Sequence, residues 1–125
     1  DLIEVGPGIL DVNLSRFALI NEIKNFEFYS GIPGSIGGAI KMNAGCFGSE
    51  TKDILHSVEL MNSNGEKTLL NKNELKLEYR NSNIPKDNII ISANYNISYG
   101  NKIEIAEKIE KIFGLFRARG NIGDW

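Results

Sequence analysis

The stretch GIPGSIGGAIKMNAG, residues 31–45, concentrates five of the chain's 13 glycines in fifteen positions. Glycines at this density either form a flexible connector or allow the backbone to approach another group closely. A connector would be polar, but this stretch also carries five side chains that can be buried: Ile32, Ile36, Ala39, Ile40 and Met42. The pattern favours a fixed loop that wraps a ligand, and it leaves a tight structural turn open as the alternative.

Composition restricts the class of protein. A chain of 125 residues with 42% hydrophobic and 24% charged residues is typical of one globular domain. The net charge of −2 gives no indication of nucleic-acid binding, and no apolar run is long enough to span a membrane. Cys46 is the only cysteine, which favours a reducing compartment, and we therefore expect a cytoplasmic protein of undetermined oligomeric state.

Periodicity and turn residues predict an α+β fold. The predicted elements are a strand at Leu2–Val5, a helix from Asn13 to Asn25 capped by Asn13, a hairpin pairing 56–61 with 67–70, a central strand at 88–98, and a C-terminal helix after Gly100. The apolar face of the last helix comprises Ile105, Ile109, Ile112, Phe113 and Phe116.

Two common phosphate-binding loops are excluded. A GxGxxG motif starting at Gly6 would need a glycine where Asp11 stands, and no Gly-Lys-Ser/Thr triplet of a P-loop exists. The glycines that remain are spaced three apart at 31, 34 and 37, followed by Gly38. Glycine backbone can direct successive N–H groups into one concavity, which would form a nest for a pyrophosphate anion.

The sequence resembles the UDP-N-acetylenolpyruvoylglucosamine reductases, also called UDP-N-acetylmuramate dehydrogenases. The motif GIPGSIGGAIKMNAGCFGSE at 31–50 carries the resemblance, together with YRNS at 79–82, GPG at 6–8 and NFEFYSGIPG at 25–34. The similarity extends over about residues 2–116. It implies the second part of a vanillyl-alcohol-oxidase-type (PCMH-type) FAD-binding domain over residues 1–116, followed by a divergent or truncated tail at 117–125.

The resemblance also implies site residues. FAD would lie against the glycine-rich stretch, with NADPH as the reductant and UDP-N-acetylglucosamine enolpyruvate as the substrate. The implied cofactor-binding residues are Gly31, Ile32, Pro33, Gly34, Ser35, Ile36, Gly37, Gly38, Asn43, Ala44 and Gly45. Arg80 matches the active-site arginine of the family, and Tyr79 and Ser82 would position it. A guanidinium suits this role because it stays protonated and can hold the negative charge that develops on the enolpyruvyl group.

His56 and Cys46 carry reactive side chains, but the sequence gives neither of them a catalytic or metal-binding role. His56 has no neighbouring ligand in sequence, so we expect no metal site, and Cys46 is expected to be a small buried side chain. The family's proton-donating serine and late glutamate, which belong to a C-terminal substrate domain, have no counterpart here. Two alternatives therefore stay open: a truncated, inactive remnant of the reductase, or another FAD oxidoreductase of the same fold.

Overall fold

The computed structural model describes residues 1–118, with side chains described to residue 114. Its strands are β1 (Leu2–Val5), β2 (Ile23–Lys24), β3 (Gly45–Cys46), β4 (Ser49–Glu50), β5 (Leu55–Met61), β6 (Lys67–Asn71), β7 (Ile89–Asn96) and β8 (Ser98–Tyr99). Its α-helices are α1 (Asp11–Ile20), α2 (Ile36–Lys41), α3 (Lys72–Leu75) and α4 (Lys102–Ala118), and 3-10 turns span Glu27–Gly31 and Thr51–Asp53. The predicted α+β class is confirmed.

The main sheet has four antiparallel strands in the order β1-β7-β5-β6. β7 lies between β1 and β5, as predicted for a β-prone run that continues over eight residues. The predicted hairpin is also confirmed, because β5 and β6 pair across a turn in which Asn62 N–H donates to Glu66 at 3.0 Å. Gly65 adopts φ +80 in that turn, a conformation that glycine adopts without steric cost.

The prediction for the first helix is wrong at both ends. α1 starts at Asp11 rather than Asn13, and its N-cap position is Leu10, whose side chain makes no capping bond. At the other end the helix stops at Ile20, and the chain turns through Glu22 at φ +59. Ile23 then pairs with Tyr99 in the small β2–β8 sheet. Strand pairing across the chain therefore overrides the helical periodicity that continued to Ile23 in the sequence.

The glycine-rich stretch is less loop-like than expected. It begins at the end of the first 3-10 turn, and residues 36–41 form α2, so Gly37 and Gly38 are helical. Beneath it, the rings of Phe26 and Tyr95 meet edge to face at 5.5 Å. Tyr29 Oη is hydrogen-bonded to Thr51 Oγ1 at 3.0 Å and to Tyr95 Oη at 3.1 Å, which joins the 3-10 turns to the sheet.

α4 packs against the first 3-10 turn and also contacts α1. Ile105 and Ile112 are buried on its predicted apolar face, whereas Ile109 and Phe113 are half-buried. The side chain of Phe116 lies outside the described residues, as does the predicted tail at 117–125 apart from the helical backbone of 117 and 118. Within residues 1–118 no helix is both long and apolar enough to cross a membrane.

Candidate functional site

The turn at Gly6–Gly8 packs directly against the start of α2. Ile36 N–H donates to the Ile9 carbonyl at 2.8 Å, and Gly37 N–H donates to the Pro7 carbonyl at 3.0 Å. These bonds satisfy two of the first helical N–H groups, which lack a partner within their own helix. Two amides of the expected anion nest are therefore already occupied by protein, so an anion bound here must use other donors.

The glycines of the stretch differ in what surrounds their Cβ positions. A Cβ on Gly37 would lie 3.3 Å from Pro7 Cβ, so the absence of a side chain lets the turn and the helix approach closely. Gly34 adopts φ +105 with nothing within 4 Å of the Cβ position. A Cβ on Gly38 would meet only Ser35 Oγ, at 3.9 Å. Gly37 therefore faces protein, whereas Gly34 and Gly38 leave open space in which a ligand could approach the backbone.

An open cleft of about 900 Å³ lies beyond the end of α2. Seven of its lining residues belong to the predicted site: Ile32, Pro33, Asn43, Ala44, Gly45, Tyr79 and Arg80. Five lining residues were missed in sequence reasoning: Met42, Cys46, Gly48, Ser49 and Glu50. The predicted residues that do not line the cleft are Gly31, Gly34, Ser35, Ile36, Gly37, Gly38 and Ser82. The structure thus brings the end of the glycine-rich motif and the YRNS motif to one surface.

Asn43 and Glu50 are joined within this cleft. Asn43 Nδ2 donates to Glu50 Oε1 at 2.7 Å, and Asn43 Oδ1 accepts from Lys52 N–H at 3.0 Å. Lys52 Nζ also lies 3.7 Å from Glu50 Oε2. Asn43 is 4% exposed and has φ +46, a left-handed conformation that asparagine adopts more readily than most residues. Both ends of the Asn43 amide are therefore used within the protein.

The β3–β4 hairpin forms one wall of the cleft. Its tip, Phe47 and Gly48, has φ +52 and +84, as a two-residue type I′ turn requires. A Cβ on Gly45 would lie 2.5 Å from the Ser49 carbonyl oxygen, so glycine is required where the two strands meet. Cys46 is half-buried rather than buried, its Sγ donates to the Phe28 carbonyl at 3.1 Å, and burial raises the pKa of this thiol to about 11.

Arg80 projects from a tight turn on the facing side. Glu78 and Asn81 exchange two backbone hydrogen bonds of 3.1 Å, which leaves Tyr79 and Arg80 at the exposed tip, with Arg80 at φ +55. The Arg80 guanidinium carbon lies 5.2 Å from the centroid of the Tyr79 ring, within cation–π distance. Ser82 Oγ donates to the Lys41 carbonyl at 2.8 Å and so attaches this turn to the end of α2.

His56 lies apart from the cleft. Its Nδ1 is 3.0 Å from Ser57 Oγ, and the residue is exposed on β5. Among residues 1–118 no group of three or more His, Cys, Asp or Glu side chains could hold a metal ion. Two charged side chains line the cleft, Glu50 and Arg80.

Comparison with known sequences identifies the fold. The family described as FAD binding domain matches residues 1–70, more than half of the chain. The chain belongs to the FAD binding domain family. This assignment agrees with a cleft whose wall is built from the glycine-rich stretch, since most of that wall lies within the matched residues.

Reductases of known function match a longer part of the chain. UDP-N-acetylenolpyruvoylglucosamine reductases from Rickettsia bellii and Pelagibacter ubique are 40% and 41% identical over 108 and 109 residues. These alignments cover 86% and 87% of this chain but 36% of each relative. The crystal structure of UDP-N-acetylenolpyruvylglucosamine reductase from Thermus caldophilus matches 92% of this chain and 43% of its own, with a TM-score of 0.85 and 30% identity. The chain thus spans about a third of the length of the curated relatives.

Glu50 is the most informative residue that sequence reasoning missed. It stood within the quoted motif, but nothing in the local sequence indicated that its side chain would meet Asn43 seven positions earlier. The β3–β4 turn supplied only a weak signal, because phenylalanine is not among the residues that favour a left-handed turn position. The one local signal of a change in chain direction near this segment was Asn43 followed by a glycine two residues later, since both residue types favour turns.

Proposed function

We propose that this chain is the FAD-binding part of a reductase that converts UDP-N-acetylglucosamine enolpyruvate to UDP-N-acetylmuramate with NADPH, in peptidoglycan precursor synthesis. The reductase names of the relatives, at about 40% identity over most of the chain, support this reaction. We further propose that residues 1–116 form the second part of the FAD-binding domain, that other parts of the protein supply the proton donor, and that the protein is cytoplasmic.

The observation that carries the proposal is the shared cleft. Segment 43–50 and the Tyr79–Arg80 turn come from distant parts of the sequence and line the same cavity. Its volume of about 900 Å³ lies in the upper part of the range of about 300–1,000 Å³ for small-molecule sites. The small residues Ala44, Gly45 and Gly48 line this cavity, so few side-chain atoms of these positions project toward a ligand.

FAD, when bound, would supply hydride transfer between the nicotinamide and the substrate. The chain's own contribution is binding and charge. Arg80 is exposed at the rim of the cleft, where its guanidinium could reach the carboxylate of an enolpyruvyl group. Hydride addition to that group creates negative charge beside the carboxylate, and a fixed cation at this place would stabilise the transition state. The cation–π contact with Tyr79 limits the orientations of the Arg80 side chain before substrate binds.

The first experiment is a titration of the purified chain with FAD, in which binding is measured by the quenching of flavin fluorescence. We expect saturable binding, since the FAD binding domain match and the cleft lie within this chain. Absence of binding at high micromolar FAD would contradict the proposal that this part binds the cofactor on its own residues.

Arg80 is then tested in the full-length protein that contains this chain. Arg80→Ala is expected to retain FAD while the rate of NADPH oxidation with substrate falls by about 10²–10³, the range for loss of one charge-stabilising group. Arg16→Ala on the exposed face of α1 removes an equal charge away from the cleft and serves as the matched control. Equal rates in the Arg80 and Arg16 variants would refute the role given to Arg80.

A further inference from the structure

The wall of the cleft is closed by a polar contact between its two ends. Segment 43–50 supplies seven of the twelve lining residues. Its first and last residues are joined by the bond of 2.7 Å from Asn43 Nδ2 to Glu50 Oε1. We call this contact the Asn43–Glu50 clamp. Because it ties the ends of an eight-residue segment together, it restricts the conformations available to everything between them.

Three requirements meet at position 43. The backbone is left-handed at φ +46, the side chain must donate to Glu50, and it must accept from Lys52 N–H. Glycine would meet only the first requirement, and aspartate lacks the donor. Asparagine meets all three, since its amide has both a donor and an acceptor end and tolerates the left-handed region. The residue is also 4% exposed, which leaves little of it for contact with a ligand.

The bond itself is of the stronger kind. Its acceptor is a carboxylate, and hydrogen bonds to charged groups contribute more to stability than neutral ones. Lys52 takes part twice, through its N–H to Asn43 and through its ammonium 3.7 Å from Glu50 Oε2. Loss of the Asn43 donor would leave the Glu50 carboxylate with the Asp53 backbone N–H, which it accepts in a capping box, and with the more distant ammonium. The start of the segment would then be held by backbone bonds alone, such as the bond of 2.9 Å from Thr51 N–H to the Ala44 carbonyl.

We propose that Asn43 and Glu50 are positioning residues, whose hydrogen bond holds segment 43–50 in the conformation that binds FAD. This inference rests on the proposed FAD-binding function. Asn43 was predicted as a cofactor-binding residue, and the inference gives its side chain a holding role because both ends of the amide are already engaged within the protein. Glu50 acts through Asn43 and Lys52 in the same way.

The test reverses the direction of the hydrogen bond. Asn43→Asp removes the donor and places two carboxylates together, and we expect FAD affinity to fall by about 10- to 100-fold. Adding Glu50→Gln supplies an amide donor from the other side, so the double variant is expected to recover affinity to within about threefold of the wild type. Asn43→Gly keeps the backbone conformation without the bonds and is expected to stay weak.

The chain offers a matched control in the β5–β6 turn. There Asn62 Nδ2 donates to Glu66 Oε1 at 3.0 Å, the same chemistry away from the cleft. Asn62→Asp should leave FAD affinity unchanged. Full affinity in Asn43→Asp, or a double variant as weak as Asn43→Asp alone, would overturn the clamp, and the latter result is the one expected of a direct ligand.

Amide hydrogen exchange separates the clamp from the proposed function. Without any cofactor, amide exchange across residues 43–52 should be at least about tenfold faster in Asn43→Gly than in the wild type. Exchange in the double variant Asn43→Asp, Glu50→Gln should be slower than in Asn43→Asp alone. If the wild-type chain fails to bind FAD but shows this exchange pattern, the proposed function is contradicted while the holding role of the clamp stands. Unchanged exchange in Asn43→Gly would overturn the clamp regardless of FAD binding.

Discussion

Asp11 makes the stability of this chain depend on pH. The residue begins α1 and is 1% exposed, and neither of its carboxylate oxygens has a hydrogen-bond partner. The titratable groups whose pKa values it influences are Tyr29 and Tyr95, which are neutral near pH 7 at the ordinary tyrosine pKa of 10.0; burial raises both pKa values further. Desolvation raises the pKa of Asp11 from 3.8 to about 7. We therefore predict that Asp11→Asn removes a pH-dependent cost of folding.

The sign follows from proton binding. The unfolded chain ionises this carboxyl near its usual pKa of 3.8, whereas the folded chain retains the proton until about pH 7. Between these values the folded state binds more protons, so the free energy of unfolding decreases as pH rises, by about 1.4 kcal/mol per unit. The positive end of the α1 dipole offsets about 0.3–1 kcal/mol of this cost. The net loss from pH 4 to pH 8 is expected to be about 2–4 kcal/mol.

The assay is urea unfolding of the wild type and Asp11→Asn at several pH values between 4 and 8. The free energy of unfolding of Asp11→Asn minus that of the wild type should increase with pH up to about pH 7 and level off above it, so that the Asn variant is favoured at pH 8. Asp87→Asn, at an exposed loop position with φ +67 that Asn tolerates, controls for removal of one charge. Parallel curves for the wild type and Asp11→Asn would refute the assignment of a neutral, buried carboxyl.

Two further substitutions test the cleft. Gly45→Ala places a methyl group 2.5 Å from the Ser49 carbonyl oxygen and should lower the free energy of unfolding in urea by about 1–3 kcal/mol. The control is Gly114→Ala in α4, where nothing lies within 4 Å of the Cβ position and the free energy of unfolding should rise by up to about 1 kcal/mol. Equal effects of the two substitutions would contradict the close contact at Gly45. Ser82→Ala removes the bond to the Lys41 carbonyl and should speed exchange of turn amides 79–82 about tenfold, with exchange across β7 unchanged; unaltered turn exchange would show that other contacts hold this turn.

The sequence predicted the sheet better than the glycine-rich stretch, and the reason is local. β7 and the β5–β6 hairpin depend on β-branched residues and a turn glycine that act within a few positions. α2 contains two adjacent glycines, which disfavour a helix by about 1 kcal/mol each. Its formation depends on the Pro7 and Ile9 carbonyls, which lie almost thirty residues earlier. No window of sequence around α2 contains that information.

The same limit applies to the site. Resemblance implied that Arg80 is an active-site residue and that the end of the glycine-rich motif binds the cofactor, and the structure brings both to one cleft. It could not distinguish a glycine that faces Pro7 from one that faces open space, because both occur in the same motif. Nor could it indicate Glu50, whose contribution depends on the distance of its carboxylate from the Asn43 amide. Side-chain direction, rather than residue type, separates these cases.

The glycine-rich segment is held from both ends before any ligand binds. At its start the Pro7 and Ile9 carbonyls fix the first turn of α2, and at its end Asn43 is bonded to Glu50. A loop ordered by its own protein contacts does not lose that entropy again when a ligand binds, so more of the interaction energy appears as affinity. Gly37 and Gly45 therefore allow close packing, and Gly34 allows a positive φ, so these glycines fix the backbone rather than loosen it. We conclude that the segment works as a preorganised surface rather than as a flexible loop that closes over its ligand.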